Sequence, residues 1–175
     1  MNPRSEIAPT LVILSGLPGV GKTSIARELA CQIGAVHLRI DAIEQALRDS
    51  LPPDEAMDDR GYLVAYAIAE DNLRLGLTVI ADSVNPIALT RDSWLEVACK
   101  AGAKAIEVEI ICSDVSQHRR RVETRSTDVE GMHLPSWDEV ASREYHPWDR
   151  PHLVLDTAAD AVEQNVANIR KMLGM

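Results

Sequence analysis

Residues 11–30, LVILSGLPGVGKTSIARELA, run from four apolar residues through a glycine-rich turn into a helix-forming segment. Gly16, Gly21, Lys22 and Thr23 fit the phosphate-binding pattern G-x-x-x-x-G-K-[ST] in full register. Leu11-Val12-Ile13-Leu14 reads as a buried strand, and Ser24 through Ala30 as a helix, which is the setting this pattern requires. Glycines at 16, 19 and 21 permit torsions that let successive N–H groups converge on one anion. The helix opening at Gly21 adds the positive end of its dipole there. Gly16, Leu17, Pro18, Gly19, Val20, Gly21, Lys22, Thr23 and Ser24 are therefore the expected nucleotide cradle. Lys22 is expected to reach the β- and γ-phosphates, and the Thr23 hydroxyl to ligate Mg²⁺.

Outward from this motif, short apolar strands alternate with helical stretches. Strands are expected near 10–15, 36–40, 77–82, 105–112 and 152–156, and helices near 22–33, 42–49, 58–75, 87–101, 114–123, 136–145 and 159–173. That alternation predicts an α/β fold with a parallel sheet covered on both faces. Thr157 and Asp160 suggest a cap for the last helix, and Ser136 with Glu139 a capping box for the short one. In open parallel sheets ligands bind beyond the carboxyl ends of the strands. Asp41, Asp82 and the glycine loop all lie at such ends, so one cleft is expected to gather them.

The length of 175 residues suits one domain, 1–175, and the composition (46% hydrophobic, 26% charged) suits a soluble globular protein. No stretch approaches a membrane span, and Met1 through Glu6 shows no secretion signal, so a cytoplasmic location is expected. Cys31, Cys99 and Cys112 read as small buried hydrophobes in a reducing compartment. Acidic residues outnumber basic ones 27 to 18, for a net charge of −9, which argues against a nucleic-acid partner and for a small acceptor. The oligomeric state stays open.

Among phosphate-binding-loop proteins, guanine-nucleotide switches carry Asn-Lys-x-Asp, which is absent here. Mechanical ATPases end the magnesium strand in Asp-Glu, where this chain has Asp82-Ser83. A kinase instead needs a carboxylate near the acceptor hydroxyl, arginines for the moving phosphoryl group and a cover against water. Asp41 and the segment Arg119-Arg120-Arg121-Val122-Glu123-Thr124-Arg125 supply those types. Arg121 and Arg125 share one helix face. Ser83 and Asn85 either shape the turn before Pro86 or touch the acceptor. Trp137, Trp148 and Tyr145 either line the acceptor pocket or pack beneath the cover, and packing is the expected role.

With GLPGVGKTSIAREL, LRIDAIEQALR, VIADSVNPIALTRDSW, the arginine segment and HLVLDTA in this order, the chain resembles small P-loop kinase-like ATP-binding proteins. These are the relatives of the polynucleotide kinase domain, zeta toxins and adenylylsulfate kinase. The resemblance implies a three-layer P-loop NTPase fold with a five-stranded parallel sheet in order 2-3-1-4-5 and a helical lid near 119–135. It also implies ATP- and Mg²⁺-dependent phosphorylation of a hydroxyl; the alternatives are a nucleotide-dependent binding or regulatory module with little transfer activity, and a nucleic-acid 5′-hydroxyl kinase. By the same resemblance Lys22 and Thr23 serve phosphate and metal, Asp82 supports the metal, Asp41 is the general base, and Arg121 and Arg125 belong to the lid. Relatives often carry Arg three residues after the base; here that position is Glu44, so an uncharged or cationic small-molecule acceptor is expected beside Asp41, Glu44, Ser83 and Asn85. Arg48, one helical turn further on, could restore that charge if it faces the pocket.

Overall fold

A computed structural model of the chain describes residues 8–52, 55 and 57–175; the reading of Met1–Glu6 lies outside them. The order is β1 (Thr10–Ser15), α1 (Lys22–Ile33), β2 (Val36–Arg39), α2 (Ile40–Ser50), α3 (Arg60–Arg74), β3 (Val79–Asp82), α4 (Ala88–Lys100), β4 (Lys104–Ile111), α5 (Val115–Thr124), α6 (Trp137–Ala141), β5 (Leu153–Asp156) and α7 (Val162–Met172). All strand pairings are parallel, and the sheet order is β2-β3-β1-β4-β5.

The continuous apolar run of β1 follows from its central place, where both faces are covered. Val12 and Leu14 pack with Ile25 and Leu29 of α1 and with Val166 and Ile169 of α7. Leu11 and Ile13 face the other layer, where Ala65, Ala69 and Leu73 of α3 meet Trp94 and Val97 of α4. Helices therefore sandwich the sheet, and every strand delivers its carboxyl end to one edge.

Several expectations need correction. Cys31 and Cys99 are exposed and Cys112 is half-buried, because the outer faces of α1 and α4 carry the first two. Ser136 and Glu139 do form a capping box, but α6 stops at Ala141 instead of running to 145. Beyond it the chain crosses over α4 and β4. There Arg91 is buried, giving Nη2 to the His146 carbonyl at 2.7 Å and stacking its guanidinium 4.3 Å over Trp148, while Arg150 holds Glu107 bidentately at 2.7 and 2.8 Å. Trp148 and Tyr145 pack on Arg91 rather than beneath 119–135. The α7 N-cap is Ala161 without a side-chain bond; the Thr157 hydroxyl is committed elsewhere, 2.7 Å from the Val20 carbonyl. The segment 119–135 is helical only as far as Thr124. Among the described residues no helix is long and apolar enough to cross a membrane.

Candidate active site

The turn between β1 and α1 is built so that its backbone closes on a small space. Gly16 has φ +142°, and a Cβ there would lie 2.2 Å from the Ile110 carbonyl oxygen. Gly19, at φ +86°, would drive a Cβ to 2.5 Å from Val122 of α5. The loop thus reaches this shape because glycine meets both the torsion and the close approach. Leu17 and Val20 turn inward to the core, leaving Pro18, Gly19, Gly21, Lys22, Thr23 and Ser24 on the cleft wall. His118 Nε2–H donates to the Pro18 carbonyl at 2.9 Å, tying the loop to α5.

Lys22 is buried, with Nζ donating to the Gly16 carbonyl at 2.8 Å and the Leu17 carbonyl at 3.1 Å. Burial pulls its pKa below the ordinary lysine value, against the opposing pull of Asp82 and Asp41. Asp82 ends β3 and is only 3% exposed. Burial disfavours its charge, but hydrogen bonds from His37 and Thr23 and the Lys22 ammonium outweigh that and hold the carboxyl below its usual range. His37 Nε2 lies 3.1 Å from Asp82 Oδ2. A buried, ionised carboxylate beside a threonine hydroxyl is an all-oxygen donor set of the kind Mg²⁺ takes with substrate phosphates.

Asp41 stands in the first turn of α2, inside the helix rather than at its cap, which is Arg39. It lines the same cleft as Lys22, Thr23 and Asp82, a space of about 920 Å³. Glu44 also lines it. Burial, then Asp41, raise the Glu44 pKa, with Arg48 and Arg143 opposing. Ser83 is buried at the cleft wall. Asn85 is not in the cleft: it is fully buried, its Nδ2 donates to the Leu14 carbonyl at 2.9 Å, and its Oδ1 accepts from Trp94 at 3.1 Å. It fixes the β3–α4 turn to the core.

The two arginines read as sharing one helix face part company. Arg121 gives Nη1 to the Thr157 hydroxyl at 2.7 Å and Nη2 to the Thr157 carbonyl at 2.9 Å, joining α5 to the β5–α7 loop. Arg125, just past α5, has Nε and Nη2 buried without a protein partner. Burial lowers its pKa, and Asp41, which lines the same cleft, opposes that shift.

Sequence reasoning missed Arg27, Arg39 and His37, whose partners lie far along the chain (His37 and Asp82 are 45 residues apart), and Arg143, which lines the cleft. Among the described residues, seven lysine and arginine side chains line the cleft against six carboxylates. Arg48 faces this space and Arg143 joins it. Basic side chains thus outnumber acidic ones in the cleft lining, although the chain as a whole is acidic.

A family model, AAA_33, described as an AAA domain, matches residues 11–143. A protein of Aeropyrum pernix named "Probable adenylyl-sulfate kinase" is 25% identical over 168 residues, spanning 93% of this chain and 91% of that one. The structure of the Mycobacterium tuberculosis APS kinase CysC in complex with AMPPNP and APS superposes with a TM-score of 0.71 at 19% identity, covering 97% of this chain and 99% of that one. A gluconokinase from Sinorhizobium meliloti superposes with a TM-score of 0.66 at 17% identity, covering 97% and 94%. At those identities the two superpositions speak to the fold.

Proposed function

The chain belongs to the AAA_33 family of AAA domains, and from that membership and the cleft we propose that it is an ATP- and Mg²⁺-dependent kinase. It moves the γ-phosphate to a hydroxyl of a small molecule. The observation that carries this reading is the gathering of Lys22, Thr23, Asp41, Asp82 and Arg125 around one space of about 920 Å³, large enough for two ligands at the upper end of ordinary binding clefts. The kinases among its relatives and structural neighbours, one of them holding a nucleotide analogue, agree with it.

In this mechanism the N–H groups of the glycine loop and the Lys22 ammonium hold the β- and γ-phosphates. Lys22 exchanges its two carbonyl partners for phosphate oxygens as the nucleotide arrives. Thr23 and Asp82 would hold Mg²⁺, which offsets phosphate charge when bound. Asp41 accepts the proton of the acceptor hydroxyl. That oxygen then forms its bond to the γ-phosphorus while the bond to the β,γ-bridging oxygen breaks and ADP leaves. Arg125 turns its unpartnered N–H groups to the transferring oxygens, and the segment near 119–135 covers the site as a lid.

Label from γ-labelled ATP, offered a panel of small hydroxyl compounds, tests the reading. Lys22→Ala should abolish nucleotide binding in calorimetry. Asp41→Asn should keep nucleotide affinity within a few-fold and lower transfer about 100-fold, as loss of a positioned base does. Transfer by Asp41→Asn within about threefold of wild type would remove it from the chemistry.

A further inference from the structure

We propose that His37 is a positioning residue for the metal site: its Nε2–H holds Oδ2 of Asp82, so that the carboxylate meets Mg²⁺ in a fixed orientation. This rests on the kinase reading above, in which Thr23 and Asp82 hold the ion, and adds the group that acts through Asp82.

The contact follows from the register of the sheet. β2 runs parallel to β3, with His37 opposite Ile80 and Arg39 opposite Asp82. Leu38 and Ala81 belong to the apolar layer that α3 and α4 cover. Side chains alternate along a strand, so His37 and Asp82 leave the sheet on the other face, where Ile80 packs with Ile25 and Leu29 of α1. There His37 stands two residues behind Asp82, about 6.6 Å along the strands and about 4.8 Å across them. Such a diagonal is closed by the far nitrogen of an imidazole ring, and Nε2 lies 3.1 Å from Asp82 Oδ2.

The chemistry of the pair sets which way the hydrogen bond runs. An ionised carboxylate only accepts, so Nε2 carries the proton and donates it. Burial works against the charge on Asp82, and the hydrogen bond from His37 is the foremost influence opposing burial, ahead of the Lys22 ammonium and the Thr23 hydroxyl. His37 thus acts on Asp82 more as a donor than as a charge. A donor of that kind orients the carboxylate without cancelling the negative charge that a metal ion needs.

Two further observations fit this role. Asp82 and Thr23 line the cleft while His37 stands behind them, so His37 acts through the carboxylate and not on a ligand directly. The two side chains are 18% and 3% exposed, so bulk water is poorly placed to replace the bond if His37 is removed. A carboxylate freed at Oδ2 would then turn about its own bond and meet the ion in many orientations instead of few.

The test measures the affinity of a non-hydrolysable ATP analogue by calorimetry, once with EDTA and once with excess Mg²⁺. The ratio of the two affinities reads the contribution of the metal. In His37→Leu the affinity with EDTA should stay within about threefold of wild type, because the glycine loop and Lys22 are untouched, while the ratio should fall about tenfold. His37→Gln, which carries an N–H about as far from the backbone, should restore the ratio. An unchanged ratio in His37→Leu, a loss that His37→Gln does not restore, or an equal loss of affinity with EDTA would overturn the proposal and leave His37 a packing residue. Wild type that gains nothing from Mg²⁺ would overturn the metal reading of Asp82, and the proposal with it. The label assay on Lys22 and Asp41 involves no change at His37, so a failure of the kinase reading is seen separately.

Discussion

Glu44 shows how the cleft is charged at the scale of one residue. Burial and the neighbouring Asp41 raise its pKa above the ordinary 4.5. A carboxyl whose pKa is higher in the folded chain than in the unfolded one binds more protons when folded, so its contribution to stability falls as pH rises. The contribution is complete below 4.5 and is lost as pH climbs through the raised folded value. Glu44→Gln removes this dependence. Its urea midpoint relative to wild type should therefore improve as pH rises from about 4.5 through the raised folded value and then level off. A difference that stays flat across that range would show that Glu44 is not strained by its surroundings. Asp82 carries the opposite sign, since its carboxyl sits below 3.8 and its contribution is lost only as pH falls through the lowered value.

At the scale of elements, α2 and α3 meet where Gly61, in the first turn of α3, gives room to Glu44. A Cβ on Gly61 would come within 2.3 Å of Glu44 Cγ. Alanine in place of a helical glycine ordinarily stabilises by about 1 kcal/mol. Here the gain should be absent in the wild-type background, because Glu44 must shift and carry its carboxylate off the cleft wall. In a Glu44→Ala background the gain should reappear. Denaturant midpoints for the four proteins of this double-mutant cycle give the coupling, and additive effects would show that the two helices do not constrain each other at this point. The neighbouring elements illustrate how much of such packing local pattern reveals. The Ser136–Glu139 capping box was legible because cap and partner lie three residues apart. The end of α6 was not, since the pull that straightens the chain after Ala141 comes from Arg91 and Glu107, far off in sequence.

At the scale of the whole molecule, the segment that we propose as a lid reaches from α5 to α1 and β2 through Asp128. A cover of this kind has to open for exchange. Hydrogen exchange over 125–136 should slow several-fold when a Mg·ATP analogue binds, while the amides of β1 keep the protection of the core. Unchanged exchange over 125–136 would leave this segment a fixed surface feature. The sequence by itself determined the glycine cradle, the alternation of five strands with helices, and the places of Asp41 just past β2 and of Asp82 at the end of β3. Each is written in neighbours a few residues apart, through torsional freedom at Gly16 and Gly19, through apolar runs buried on both faces, and through helical spacing. Resemblance added the sheet order. Only the tertiary structure decided that Asn85 turns into the core, that Arg121 is held by Thr157 while Arg125 is left open, and that the cleft lining is more cationic than the chain. Those outcomes depend on partners such as Arg39 with Asp128, 89 residues apart, and Arg27 with Asp128, 101 apart. Beyond one helical turn a charge has no preferred neighbour along the chain; its partner is whichever opposite group the packed elements bring within a few ångströms.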